Sequence, residues 1–290
     1  MPHCNSRGDT SLVILAAGLG RRFGGEKQLA TIGETGRPLM YFSVMDAWRS
    51  GVRKLVLVVS PGIEPLIRKR FLPMLPGDLE ISIVFQKSSD LPAACHAVPR
   101  EKPWGTGHAL WSARTAVEAA CIVINADDYY GPQAMTRLLS HLEESADWAM
   151  ASYPLEKTLS GFGTVNRGLC RVRAGFLEGV SECHDIKRTD RGIRGVLDGR
   201  AVSLEPDAPV SMNAWAFGRN VFDCLERGMT CFFADREVSD RDEFYLPSQV
   251  MASIKSGAVR VQVYASSDDW HGVTYREDLA LIGDFVAGGN

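Results

Sequence analysis

Residues 12–17 read LVILAA, and they run directly into the glycine- and cation-rich stretch GLGRRFGGEK of residues 18–27. A short, uninterrupted apolar run predicts a strand that is buried on both faces, as strands of parallel sheets are. The glycines allow backbone N–H groups to approach a phosphate, and the Arg and Lys side chains can donate hydrogen bonds to its oxygens. The stretch therefore predicts a strand followed by a nucleotide-binding turn. The glycine pattern alone also allows an ordinary β–α turn with surface charges or a dinucleotide-binding loop.

Similar apolar runs recur along the first half of the chain and alternate with helical patterns. Further strands are predicted at 54–60, 80–85 and 121–126, and helices at 38–50, 63–72, 107–120 and 131–144. This alternation predicts an α/β fold with a mostly parallel sheet, because parallel strands need helical crossovers.

The second half contains more strands and fewer helices. Strands are predicted at 149–154, 164–172, 201–204, 210–217 and 259–265, and helices at 219–227 and 246–256. Thr274 and Glu277 form a capping box, which predicts the start of a last helix. The sequence shows no repeat or obvious linker. It therefore predicts one domain over residues 1–290, with a nucleotide-binding half at 11–148 and a second half at 149–290.

The composition excludes several classes of protein. Of the 290 residues, 45% are hydrophobic and 23% are charged, which is typical of a globular domain. The net charge is −3 and Lys and Arg form no long basic run, so neither nucleic acid nor a membrane surface is expected as a partner. Seven cysteines without a C-x-x-C pair disfavour a disulfide framework or a structural zinc site. No apolar run reaches the ~18 residues of a membrane span and no signal peptide is visible, so a cytoplasmic location is expected.

The stretch from Leu15 to Lys27 resembles the signature loop of the nucleotidyltransferases that share the fold of nucleotide-sugar pyrophosphorylases. The resemblance implies a Rossmann-like three-layer α/β fold with a mostly parallel, mixed central sheet. It also implies that Arg22 and Lys27 are catalytic, because the loop's Arg and Lys bind the triphosphate and stabilise the transferring phosphoryl group in that family. The short spacing between Arg22 and Lys27 is similar to that of the molybdenum-cofactor guanylyltransferases. The nucleotide-binding residues implied in this stretch are Ala16, Ala17, Gly18 and Gly20.

Two later segments resemble the base-reading pair of the same family, in which a Gln and a Gly-Thr hydrogen-bond a pyrimidine. Gln86 ends a predicted strand, and the run Gly-Thr-Gly-His-Ala at 105–109 begins a predicted helix. The resemblance implies that Gln86, Gly105 and Thr106 bind the nucleotide, and it favours a pyrimidine NTP as the donor. The sequence also allows Gln86 to be an ordinary surface residue.

Two adjacent carboxylates follow the strand predicted at 121–126. Ligands of open α/β sheets lie beyond the carboxyl ends of the strands, and buried carboxylates there call for a cation. The resemblance implies that Asp127 coordinates Mg²⁺, which prefers oxygen ligands and bridges to phosphates. Asp128 is expected to cap the following helix. Asp269, from a segment that holds a second metal ligand in related enzymes, is the predicted second ligand, with phosphate and water as the alternative.

The acceptor site rests on three residues of the second half. Gly163 lies in a Gly-Phe-Gly-Thr-Val segment that resembles the family's sugar-contacting glycine, and Glu182 resembles a Glu that binds sugar hydroxyls. The Lys that usually follows this Glu is replaced here by Cys183. Asn213 resembles a residue that contacts the sugar, although a purely structural buried Asn is the other interpretation.

These residues together predict transfer of a nucleoside monophosphate from an NTP to a sugar 1-phosphate, with Mg²⁺ as cofactor and pyrophosphate as the second product. Three other activities stay open. One is a cytidylyltransferase for choline phosphate or a similar alcohol, with an aromatic cage drawn from Tyr129, Tyr130, Trp215 and Trp270. The second is guanylyl transfer to molybdenum cofactor, and the third is a non-catalytic nucleotide sensor. The oligomeric state is not predicted.

Overall fold

The computed structural model describes residues 7–18, 27–96, 100, 102–234, 238–273, 278 and 282, with only the backbone of Lys27. Within these ranges, eleven strands form one central sheet. No helix in the described part of the chain is both long and apolar enough to cross a membrane.

The first half supplies four parallel strands: β1 (Ser11–Ala16), β2 (Lys54–Val59), β3 (Glu80–Phe85) and β4 (Cys121–Asn125). They lie in the order β4-β1-β2-β3, and each neighbouring pair is parallel. All six residues of β1 are buried, as the apolar run predicts. The register of Leu15 with Asn125 places the carboxyl ends of β1 and β4 side by side.

The second half adds seven strands to this sheet: β5 (Trp148–Pro154), β6 (Val165–Arg173), β7 (Phe176–Thr189), β8 (Gly192–Leu197), β9 (Arg200–Leu204), β10 (Pro209–Phe217) and β11 (Val261–Ala265). The full order is β9-β8-β7-β11-β5-β10-β4-β1-β2-β3, with β6 beside β7 and β10. Antiparallel pairs predominate in this half, whereas β5 and β11 are parallel. Because β10 lies between β4 and β5, the two halves share one sheet.

Helices cover both faces of the sheet: α1 (Leu39–Arg49), α2 (Thr106–Ser112), α3 (Pro132–Glu144), α4 (Val221–Ala234) and α5 (Leu246–Lys255). Successive β1 side chains enter two separate cores, since strand residues alternate between faces. Leu12 and Ile14 pack in the core that contains residues of α1 and α3. Val13 and Leu15 pack in the core that contains residues of α2, α4 and α5. This three-layer arrangement confirms the predicted α/β fold.

Several element boundaries differ from the prediction. Helix α2 ends at Ser112 instead of residue 120, because the chain must turn back to enter β4 at Cys121. The helix predicted at 63–72 is a short α-helix (Glu64–Leu66) followed by a π-helical turn (Ile67–Phe71). Helix α4 continues past the predicted end at residue 227 to Ala234.

Strands β7 and β8 were not predicted from the sequence. Strand β7 is rich in charged residues, and exposed positions interrupt the alternation of its buried ones, whereas β8 contains two glycines, which are depleted in strands. Half-exposed strands of this kind lack the apolar signal that identifies a core strand. The predicted helix start at Thr274 lies outside the described residues.

Candidate active site

Two neighbouring cavities lie beyond the carboxyl ends of the parallel strands. The first cavity has a volume of about 410 Å³ and is lined by Ala17 and Gly18 after β1, Gln86 after β3, and Gly105 and Thr106 at the start of α2. The fold thereby brings together the predicted nucleotide-binding residues from three separate segments. This is the edge of the sheet at which open α/β folds bind ligands.

The second cavity has a volume of about 340 Å³ and opens toward the second half of the chain. Its wall includes Glu182 of β7 and Asn213 of β10. Thr106, Asn125 and Asp127 line both cavities, so the two spaces meet at the end of β4. A donor in one cavity and an acceptor in the other would face each other at this point.

The start of the predicted phosphate loop is fixed by a side chain that sequence reasoning missed. Gln28 is almost fully buried, and its Nε2 donates to the carbonyl oxygen of Gly18 at 2.5 Å. Ala16 is buried inside β1 and lines neither cavity, whereas Ala17 reaches the first one. Gly20, Arg22 and the Lys27 side chain lie outside the described residues, so their predicted roles stay predictions.

The Gly-Thr-Gly run is held in place by the segment that precedes α5. Gly105 has a φ of +103°, and a Cβ atom there would lie 2.9 Å from the Phe244 carbonyl oxygen. The Gly107 N–H donates to the same oxygen at 2.9 Å. The Thr106 hydroxyl accepts a bond from the Leu246 N–H at 3.0 Å. Both glycines are therefore required by close backbone packing, as well as by any contact with a nucleotide.

Gln86 is buried at the wall of the first cavity, so it is not an ordinary surface residue. Its Nε2 lies 2.9 Å from the Gly105 carbonyl oxygen and 3.1 Å from His108 Nδ1. His108 Nε2 in turn lies 2.7 Å from the Asp90 carbonyl oxygen. Burial lowers the pKa of the fully enclosed His108 imidazole.

Asp127 is the predicted metal ligand that the structure brings to the junction of the cavities. It lies two residues after the end of β4, is partly buried, and is next to the buried Asp128 in the chain. Two adjacent carboxylates at a phosphate-binding edge offer the oxygen donors that Mg²⁺ prefers. The residues present therefore fit a cation that is held partly by protein and partly by substrate phosphate.

The structure does not bring the second predicted ligand, Asp269, to this place. The Asp269 side chain is 53% exposed, forms an ion pair with Lys157 Nζ at 2.8 Å, and lines neither cavity. The part of this segment that reaches Asp127 is Val273, whose N–H donates a hydrogen bond to the Asp127 carbonyl oxygen at 3.0 Å. Within the described ranges, no three His, Cys, Asp or Glu side chains converge to hold a metal.

Asp128 takes part in a side-chain network and does not cap a helix, so the capping prediction is wrong. Its Oδ2 accepts bonds from Asn125 Nδ2 at 2.9 Å and from the Tyr130 hydroxyl at 3.1 Å. Helix α3 is capped from the other end of the chain, where Asp268 Oδ2 accepts the Ala134 N–H at 2.9 Å. Local sequence signals could not reveal a cap that is 134 residues distant.

Asn213 extends the same network toward β10. It has a φ of +67° and lies at a register shift of that strand, a conformation that Asn tolerates better than most residues. Asn213 Nδ2 donates to Asn125 Oδ1 at 2.8 Å, and Asn213 Oδ1 accepts from Trp215 Nε1 at 2.7 Å. Asn213 thus lines the second cavity while its amide holds Asn125, which combines the two interpretations of this residue.

The sequence of the chain identifies its family. Residues 12–160, just over half of the 290-residue chain, match the family model described as the MobA-like NTP transferase domain. The chain belongs to this family. It is therefore a nucleotidyltransferase, and the resemblance seen in the sequence is confirmed. No curated protein matches the sequence significantly.

Two solved structures share the fold of this transferase over nearly their whole length. The inositol-1-phosphate CTP transferase from T. maritima superposes with a TM-score of 0.66 at 15% identity, covering 96% of this chain and 94% of that one. A UDP-glucose pyrophosphorylase complexed with UDP-glucose superposes with a TM-score of 0.61 at 14% identity, covering 97% and 99%. At such low identity, the likeness is one of fold.

The residues predicted for the second half of the transferase agree less well with the structure than those predicted for the first half. Glu182 lines the second cavity from within β7, rather than following a strand, and burial raises the pKa of its carboxyl. Gly163 is exposed and lines neither cavity. The proposed aromatic cage does not form, because Tyr130 and Trp215 are fully buried in separate cores.

Arg167 of β6 is a cavity residue that sequence reasoning missed. Among the described residues that line the second cavity, it is the one basic side chain. Its guanidinium donates to the Thr158 hydroxyl at 3.2 Å, to the Thr158 carbonyl and to the Asn166 carbonyl at 2.9 Å. Every one of these acceptors is neutral, and burial lowers the pKa of the guanidinium. Side chains two positions apart on a strand point to the same face, so the apolar Val165 predicts that Arg167 also faces inward. This pattern is the signal that could have identified Arg167.

A pair of opposite charges in the first cavity was also missed. Lys102 Nζ lies 3.7 Å from Glu243 Oε1, and both side chains line the cavity opposite the β1 turn. The two residues come from distant parts of the chain, so no local motif relates them. They place one cation and one anion near the space expected for the nucleotide.

Proposed function

We propose that this transferase moves a nucleoside monophosphate from a pyrimidine NTP to a sugar 1-phosphate, releasing pyrophosphate and forming an NDP-sugar. The observation that carries the proposal is the junction of the two cavities at Thr106, Asn125 and Asp127. One cavity would hold the base and ribose and the other the sugar. The phosphates of both substrates would then meet at Asp127.

The donor side is supported by the convergence of Gly18, Gln86 and Thr106 on the first cavity. Arg22 and Lys27 would bind the triphosphate that continues from this cavity, as their position in the loop implies. The names of the two structural neighbours both include a pyrimidine nucleotide, CTP or UDP. This agreement supports a pyrimidine as the base.

The acceptor side is supported by the polar and charged wall of the second cavity. Three carboxylates line it, Asp127, Asp128 and Glu182, and they would repel a phosphorylated acceptor without a compensating cation. Arg167 would supply that cation, because its hydrogen bonds go to neutral oxygens, although Asp128 and Glu182 lie near enough to act on its charge. Glu182 is suited to accept hydrogen bonds from sugar hydroxyls.

The reaction follows from the position of the groups. An oxygen of the acceptor phosphate attacks the α-phosphorus in line and forms a new P–O bond, while the bond to the bridging oxygen breaks and pyrophosphate leaves with the electron pair. The attacking oxygen is ionised near neutral pH, so no strong general base is needed. Asp127 would hold Mg²⁺, whose charge neutralises the phosphates when it is bound. The residues of the chain contribute chiefly by positioning and by charge stabilisation.

The proposal is tested by measuring pyrophosphate release from CTP, UTP, GTP and ATP in combination with a panel of acceptors. The panel contains several sugar 1-phosphates, inositol 1-phosphate and choline phosphate, each assayed with and without Mg²⁺. We expect release only with a pyrimidine NTP, a sugar 1-phosphate and Mg²⁺ together. Release that needs no acceptor, exclusive use of GTP, or no release in any combination would overturn the proposal.

A further inference from the structure

A row of three buried polar groups lies behind the first cavity and joins three segments of the chain. Gln86 stands at the cavity wall, His108 lies inside α2, and the Asp90 carbonyl belongs to the loop between them. The His108 side chain is completely buried and does not line the cavity. It can therefore act on a ligand only through Gln86.

The hydrogen bonds fix the tautomer of His108. The Asp90 carbonyl oxygen can only accept, so the His108 Nε2 that lies 2.7 Å away must carry the hydrogen. In a neutral imidazole the other nitrogen, Nδ1, is then a pure acceptor. Burial lowers the pKa of this imidazole, which agrees with the neutral form.

The tautomer in turn fixes the amide of Gln86. Its Nε2 has two hydrogens, and they are directed to His108 Nδ1 at 3.1 Å and to the Gly105 carbonyl oxygen at 2.9 Å. With the amide rotated by half a turn, Gln86 Oε1 would face two acceptors and gain no hydrogen bond. One orientation of the amide is therefore strongly preferred.

This orientation leaves Gln86 Oε1 as the polar atom that the side chain can offer to the cavity. It makes no hydrogen bond with the described residues, and it is not among the buried polar atoms that are sealed from solvent. An oxygen with free lone pairs at a cavity wall accepts a hydrogen bond from a ligand and rejects another acceptor.

We propose that His108 is a positioning residue that locks the Gln86 amide, so that the first cavity selects nucleobases that present an N–H donor to Gln86 Oε1. The inference rests on the proposed function only in assuming that a nucleotide occupies this cavity. Cytosine offers its 4-amino group as such a donor, and uracil offers N3–H. A base without a donor at this edge leaves Oε1 unpaired and binds more weakly.

The test compares nucleotide binding to the full-length protein, measured by calorimetry without any acceptor. The first pair of probes is CTP and the triphosphate of pyrimidin-2-one riboside, which lacks the 4-amino group. The second pair is UTP and 3-methyluridine triphosphate, which lacks the N3–H donor. Whichever of CTP and UTP binds more tightly to the wild-type protein selects the pair that is compared. Within that pair, we expect the natural nucleotide to bind about 10- to 100-fold more tightly than its analogue.

Two variants of similar polarity separate a positioning role from a structural one. His108→Asn can keep an acceptor at the δ position that faces Gln86, and it should retain the base preference. His108→Gln keeps a donor near the ε position but has no acceptor at δ, and its preference should fall to within about threefold. Gln86→Met removes the reading oxygen itself and should behave like His108→Gln. Thermal unfolding of each variant identifies any that fails to fold, and Gln86→Met then serves as the second test.

The outcomes of this test are distinct. Equal binding of both members of each pair by the wild-type protein, or full preference in a folded His108→Gln variant, overturns the inference. Preference for the natural base without any pyrophosphate release supports the inference while the proposed transfer reaction fails. Absence of binding by every nucleotide overturns both.

Discussion

Asn213 Nδ2 donates to Asn125 Oδ1 at 2.8 Å, and this hydrogen bond joins the two halves of the chain directly behind Asp127. Asn125 ends β4, and Asn213 lies at the register shift of the antiparallel β10. A side chain of the second half thereby holds the end of β4, two residues before the predicted metal ligand.

Replacing Asn213 should therefore affect both stability and turnover. Asn213→Ala removes the amide and leaves Asn125 Oδ1 and Trp215 Nε1 without their partners, which should cost about 1–3 kcal/mol in the free energy of unfolding. Urea unfolding measures this loss. Asn213→Gly is the matched variant, because it relieves any strain at the φ of +67° but also lacks the amide. Wild-type stability in both variants would show that the network does not support the fold.

The two predicted metal ligands can be distinguished by paired substitutions. Asp127→Asn should lower kcat/KM by about 100-fold or more, because it removes a charge where the cavities meet and where the substrate phosphates are expected. Asp269→Asn should have little effect, because this carboxylate is ion-paired with Lys157 outside both cavities. Kinetics over a range of Mg²⁺ concentrations checks the result. Loss of activity in Asp269→Asn with normal Asp127→Asn activity would reverse the assignment.

Arg167 is expected to act on the acceptor alone. Arg167→Ala should raise the KM for the acceptor by about 10- to 100-fold and leave the KM for the NTP nearly unchanged, since a charge-assisted hydrogen bond to phosphate is lost. The matched control is Arg173→Ala on the same strand, whose side chain is 81% exposed and faces Glu178. Steady-state kinetics with each substrate varied in turn makes the distinction. An equal increase in both KM values would instead indicate a structural role.

Much of the donor side could be predicted from the sequence, because its signals are local. The buried run of β1 and the Gly-Thr-Gly run at α2 each occupy a few consecutive residues, and the fold brings them to one cavity. The acceptor side depends on contacts between distant segments. The Lys102–Glu243 pair of the first cavity and the Asp268 cap of α3 likewise join segments that no local pattern relates.

The long-range cap of α3 gives a direct test of that distinction. Asp268→Ala should destabilise the protein by about 1 kcal/mol, because the Ala134 N–H loses its acceptor. Asp268→Asn keeps an acceptor oxygen and should lose less. Gly131→Ala should be destabilising as well, since a Cβ atom there would lie 2.4 Å from Asp268. Urea unfolding of the three variants ranks these effects, and equal stability of the Ala and Asn variants would exclude a capping role.

The neutral His108 predicts how stability depends on pH. Its pKa in the folded protein is lowered from the ordinary value of 6.5 by burial, so the unfolded chain binds a proton in a range where the folded protein does not. Stability contributed by His108 is therefore complete above about pH 6.5 and is lost as the pH falls below it, with a slope of at most about 1.4 kcal/mol per pH unit for one proton. Urea unfolding between pH 8 and pH 5 measures this slope.

His108→Asn cannot titrate in this range, so its stability should fall less steeply than that of the wild type. The pKa of His271 is also lowered by burial, but it titrates in both proteins and drops out of the comparison. Identical slopes in the two proteins would mean that folding does not shift the pKa of His108, which would contradict a buried imidazole that is held in the neutral form.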